Sequence, residues 1–113
     1  MPLVIVDGPT IPRNESLSDA VDCTGGTIVR ITVPQEFTDA NLTFQASSNG
    51  EMFNDLYAKD GREIELPVKA DTTVIIDDPW TRAIGWLKIR SGPRDGPVAQ
   101  RETCKFAIAI EVP

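Results

Sequence analysis

Residues 105–112 alternate without a break: Phe106, Ile108, Ile110 and Val112 fall on one side, and Lys105, Ala107, Ala109 and Glu111 on the other. A repeat of two is the side-chain period of an extended strand and not of a helix. The same pattern returns along the chain in short segments closed by Gly, Pro, Asn or Asp. Residues 27–33 are expected to place Val29, Ile31 and Val33 on one face and to end at Pro34. Residues 41–47 place Leu42, Phe44 and Ala46 inward, before a Ser48-Asn49-Gly50 turn in which Asn and Gly tolerate positive φ. Ile64, Leu66 and Val68 form another set, with Pro67 marking an edge or a bulge. Residues 72–76 are rich in β-branched side chains and close at Asp77-Asp78-Pro79. Residues 84–90 set Gly85, Leu87 and Ile89 against Trp86, Lys88 and Arg90. The best helical candidate is 51–58, and its Gly50 and Asp60-Gly61 borders suit a hairpin better.

Roughly seven to nine short strands, with turns about every 8–12 residues, predict an all-β fold. Each strand has one apolar face, so two sheets must close those faces on each other. The expected architecture is a two-sheet antiparallel β-sandwich or jelly roll over residues 14–113. Residues 1–13, with Pro2, Pro9 and Pro12, are expected to form an extended N-terminal arm or an edge segment.

At 113 residues the chain is expected to form one such domain. Its longest apolar runs, such as 3–6 and 106–110, fall far short of the roughly 20 residues that span a bilayer. The opening Met1-Pro2-Leu3-Val4-Ile5-Val6-Asp7 has no basic leader region, so synthesis without Sec export is expected. The net charge of −6, from 17 acidic and 11 basic residues, disfavours direct contact with nucleic acid. Arg82, Lys88, Arg90, Arg94, Arg101 and Lys105 are scattered among acids and read as a solvated surface.

Chemistry is sparse. Without histidine there is no Ser-His or Cys-His nucleophile pair and no imidazole ligand for zinc. Thr24-Gly25-Gly26-Thr27 lacks the lysine of a phosphate loop and reads as a strand-to-strand turn. Asp71, Asp77 and Asp78, or Asn49 with Glu51, lack the spaced carboxylates of an EF-hand loop and read as solvated loop acids. The expectation is no enzyme, no catalytic residue, no metal and no cofactor. Candidate contact residues for a partner are Trp80 and Trp86, together with Leu3, Val4, Ile5 and Ile11 of the N-terminal segment. The other reading of Trp86 is packing under a loop or the N-terminal arm, and that of Trp80 is plugging a sandwich end.

Cys23 and Cys104 leave three alternatives: an internal disulfide, a bridge between subunits, or two buried free thiols. An internal bridge would close a loop of about 80 residues, with a chain-entropy effect of roughly 4–5 kcal/mol.

The stretch Leu42-Thr43-Phe44-Gln45-Ala46-Ser47-Ser48-Asn49-Gly50-Glu51-Met52-Phe53-Asn54-Asp55-Leu56-Tyr57 carries LTFQ, then S-x-N-G with an aromatic, then DLY ahead of an Asp60-Gly61 turn. Leu87-Lys88-Ile89-Arg90-Ser91-Gly92 and Pro97-Val98-Ala99-Gln100 follow, with a last strand beyond Arg101. This series, over residues 15 to 112, resembles small β-sandwich proteins encoded among phage and prophage structural genes. The resemblance implies a virion component made in the host cytoplasm, such as a capsid decoration (cement) protein or a tail or fibre accessory. It implies the major capsid protein or other virion proteins as partners, and it supplies no catalytic residues. Ser47-x-Asn49-Gly50-x-x-Phe53 is also similar to discoidin-like sandwiches, which implies a carbohydrate-binding module of a tail fibre or particle surface as the alternative. A decoration protein needs a rigid body and an arm that can lie across a neighbour, and many copies on a lattice make weak contacts sufficient. A homo-oligomer is expected, most simply a trimer.

Overall fold

Eight strands carry the alternating segments: β1 (Leu3–Ile11), β2 (Val21–Asp22), β3 (Thr27–Val33), β4 (Leu42–Ser47), β5 (Asn54–Asp55), β6 (Thr72–Ile75), β7 (Trp86–Ser91) and β8 (Cys104–Glu111). The computed structural model describes residues 2–113; Met1, part of the expected arm, lies outside the described residues. One 3-10 turn, Pro79–Arg82, is the only helical element among the described residues. The strands form two four-stranded sheets, ordered β1-β8-β3-β6 and β2-β7-β4-β5, with every neighbouring pair antiparallel. The two-sheet sandwich expected from the alternation is therefore present.

Its core lies between the sheets. Ile28, Ile31, Phe106 and Ile108 from the first sheet meet Leu42, Phe44, Leu87 and Ile89 from the second, all essentially buried. Burial of each such side chain stabilises the fold by roughly 1.5–3 kcal/mol before ordering costs. Phe37, from the loop after β3, closes one end edge-to-face on Phe106, with ring centroids 5.7 Å apart.

Three local expectations change. Of the two forms expected for residues 1–13, the edge segment is found and the free arm is not: among the described residues Leu3–Ile11 is the edge strand of the first sheet, paired with β8 from Leu3↔Glu111 to Ile11↔Cys104. Backbone hydrogen bonding along the strand outweighs the extended independence suggested by the prolines, and the Gly8-Pro9 step is accommodated as a register shift between Asp7 and Thr10. In β3 a bulge falls between Ile28 and Arg30, so Ile28 replaces Val29 in the core. Ile64, Leu66 and Val68 form no strand; Leu66 joins the second sheet through a single bridge to Leu42.

Candidate interaction surface

The two sheets differ in what covers their outer faces. On the second sheet, the segment after β4 folds back over β7. Ser47 Oγ accepts the Gly50 amide at 2.9 Å, and Asn49 Oδ1 accepts the amides of Glu51 and Met52 at 2.9 and 3.0 Å. Gly50 (φ +79°) lies so close to the Trp86 indole that a Cβ there would come within 2.9 Å of it. Lys88 Nζ sits 4.5 Å from the centre of the Phe53 ring.

Beneath this cover Arg90 is buried, contrary to the solvated surface expected of it. Its Nε donates to Thr43 Oγ1 at 3.0 Å, Nη1 to Asp55 at 2.8 Å and Nη2 to Glu63 at 2.8 Å. Thr43 in turn donates to the Gly92 carbonyl at 2.7 Å, and Arg94 adds a 3.0 Å contact to Asp55. The Arg90 guanidinium, bonded to Asp55, holds that carboxyl below its usual range despite its partial burial. Gln100 is also buried, accepting the Thr38 amide at 2.7 Å and donating to the Thr38 carbonyl at 3.2 Å. Thr43, Asp55, Arg90, Gly92 and Gln100 all lie within residues 42–100. In this molecule those residues hold loops against the sandwich.

The first sheet has an uncovered outer face. Register places Leu3 and Ile5 of β1, Ala107 and Ala109 of β8, Arg30 and Thr32 of β3, and Thr73 and Ile75 of β6 on that side. Leu3 is 50% exposed, Ile5 54% and Ile75 74%. Ala109 is buried between Ile5 and Arg30, so the exposed Leu3 and Ile5 at one margin are separated from Ile75 at the other by Ala109 and the half-buried Arg30. Lys105 Nζ pairs with Asp7 at this margin, at 2.7 Å between adjacent strands.

The contact residues expected from the sequence are scattered. Leu3, Val4 and Ile5 are exposed on the edge strand. Ile11 is fully buried in the core and has no surface with which to meet a partner; β1 turns inward beyond its register shift, which carries Ile11 between the sheets. Trp86 is half-buried beneath the Gly50 turn. Trp80 is half-buried, with its ring 4.9 Å from that of Phe44 and its indole nitrogen donating to Asp78 at 3.3 Å. With Tyr57 it lines an open groove of about 800 Å³ between the 56–65 hairpin and the 78–84 turn, bordered by Asp60, Arg62 and Glu65. Ile75 was not expected at the surface, because Val74 and Ile76 beside it are equally apolar and obscure the alternation.

Cys23 and Cys104 are both free and buried. The Gly26 amide bonds the Cys23 carbonyl, and Gly26 packs against Ile110 at one end of β8, while Cys104 begins the other end. Those ends of the strand are about 20 Å apart, beyond the ~4.4–6.8 Å that a disulfide bridges. The internal bridge is thus excluded by geometry, and burial keeps both thiols from a second subunit. Burial, with the Asp22 charge second, pushes the Cys23 thiol up to about 11. Burial, then Glu36 and Glu102, raises Cys104 as well.

Among the described residues no cluster of three or more acidic or cysteine side chains is placed to hold a metal ion. No family profile, curated protein or solved structure matches this chain.

Proposed function

We propose that this chain is a non-enzymatic structural component of a phage virion, a capsid decoration protein that stabilises the particle through contacts with the major capsid protein or its neighbours. The observation that carries the reading is the outer face of the first sheet, where Leu3 and Ile5 on one margin and Ile75 on the other stand exposed on either side of Ala109 and Arg30. Exposed apolar side chains grouped on one face mark interaction sites. Repetition over a lattice lets a small face of this kind bind firmly through many modest contacts. The resemblance of the LTFQ, LKIRSG and PVxQ segments to phage structural proteins supports the same reading. Co-sedimentation with assembled capsids tests it: the chain is expected to pellet with capsids, and Ile75→Glu to remain in the supernatant. Capsids that sediment without the unaltered chain overturn it.

A second reading, glycan binding at the particle surface, is favoured by the groove of Tyr57 and Trp80 with its polar rim. Tyr57→Ala separates the two, since it removes a groove wall without touching the first sheet. Affinity on a glycan array that this substitution abolishes supports the second reading.

A further inference from the structure

The four sheet margins are unequal. An open margin presents unpaired amides and carbonyls to other chains, and proteins ordinarily shorten or charge such edges. Here β2 and β5 have two residues each and β6 has four, whereas β1 has nine. The far half of β1 is closed: the Thr10 amide donates to the Asp19 carboxylate at 2.8 Å, and the Thr10 carbonyl accepts the Asp19 amide at 3.2 Å. Among the described residues the near half has no such cover. The Val112 amide bonds the Pro2 carbonyl, so by the antiparallel parity Val4 and Val6 also bond β8. Leu3, Ile5 and Asp7 therefore turn their backbone groups outward, away from β8.

We infer that this half-strand pairs antiparallel with the same half-strand of a second copy, across a two-fold axis at Ile5, to join two first sheets into one of eight strands. Register follows from the parity. Ile5 faces the other Ile5, Leu3 faces Asp7, and the three outward residues of each chain exchange about six backbone hydrogen bonds. Val4 meets Val6 on the opposite face. A chain with net charge −6 repels its own copies over most of its surface, but residues 3–6 carry no charge. Asp7 falls opposite Leu3 and not opposite another acid, and Lys105 already compensates it at 2.7 Å. One self-complementary strand satisfies both partners, the arrangement on which closed dimers are built. The pairing concerns the isolated chain and stands apart from any capsid contact.

Light scattering on the purified protein reads it directly. The expected mass is twice the 12.3 kDa of the chain. Ile5→Pro removes an outward amide while leaving every bond to β8, so it is expected to yield a folded monomer. Ile5→Ala keeps that amide and is expected to stay dimeric, and so is Ile75→Glu. Hydrogen exchange on the unaltered protein supplies a readout that needs no variant. Val4 and Val6 amides are protected at any concentration, whereas Leu3, Ile5 and Asp7 slow by about tenfold or more only when the protein is concentrated. A monomer at every concentration, undiminished dimer in Ile5→Pro, or outward amides that exchange independently of concentration each overturn the pairing. A monomer in solution that still pellets with capsids defeats the pairing and leaves the decoration role standing; a dimer that ignores capsids does the reverse.

Discussion

Arg90 and Asp55 lie 2.8 Å apart with the arginine side chain only 8% exposed, although 35 residues separate them in the chain. A guanidinium taken out of water is tolerated because its donors meet carboxylates in good geometry. Asp55, Glu63 and Thr43 together occupy three of its nitrogens, and among the described residues no buried side-chain polar atom is left without a partner.

Arg90→Ala leaves Asp55 and Glu63 facing each other without their shared cation. The expected loss is about 3 kcal/mol, at the low end for a broken buried pair because both acids retain some solvent. Urea denaturation followed by tryptophan fluorescence measures it. Arg90→Lys is expected to recover only part of the loss, since an ammonium cannot span three acceptors at fixed angles.

Stability should fall in acid, with Asp55 as one contributor. Its folded-state carboxyl is held below the ordinary value chiefly by the Arg90 hydrogen bond. A depressed acid contributes stability that is full above its unfolded value, near 3.9, and is lost as pH falls through the lower folded value. Denaturation midpoints taken between roughly pH 5 and pH 2 should decline steeply in the unaltered protein. Asp55→Asn should start lower and decline less, and parallel curves would count against this assignment.

The native thiols should be inert. With Cys23 raised to about 11 and both sulfurs buried, an aromatic disulfide reagent at about pH 8 should label neither cysteine until denaturant is added. Unreduced mass spectrometry should then find a single chain with two free thiols.

Gly92→Ala should destabilise by about 2 kcal/mol or more, since the change combines left-handed strain with backbone overlap. Gly92 has φ +87°, and a Cβ there would fall 2.8 Å from the Gly96 carbonyl oxygen and 2.9 Å from the Val98 amide nitrogen. Gly25→Ala, with φ +86° but open space around it, should cost less, and thermal melts of the two variants compare them.

Strands β3, β4, β7 and β8 were legible because polar and apolar residues alternate along them, and β6 because it is rich in β-branched side chains. Leu3–Val6 shows no such period, since a strand at a sheet margin has no continuous solvent boundary to record. Its place beside β8 depends on pairing with residues about 100 positions away, as Leu3↔Glu111 shows. The Val29 bulge left no mark because Ile28 and Val29 are both apolar, so either could face the core. Arg90 looked like an ordinary surface cation for a related reason: what buries it comes from Asp55 and Glu63, and nothing in the LKIRSG segment announces those partners. Of the interaction surface, Leu3, Val4 and Ile5 were anticipated, while Ile75 appears only once β6 is laid beside β3.

Strand-by-strand growth needs two long free margins on every molecule, one to receive and one to offer. This sandwich has a single such margin, cut short by Asp19 at Thr10, and its other borders are two to four residues long. Any addition at β1 therefore exhausts the template it uses, and the same geometry that exposes a sticky strand keeps concentrated protein from running on into amyloid-like polymers.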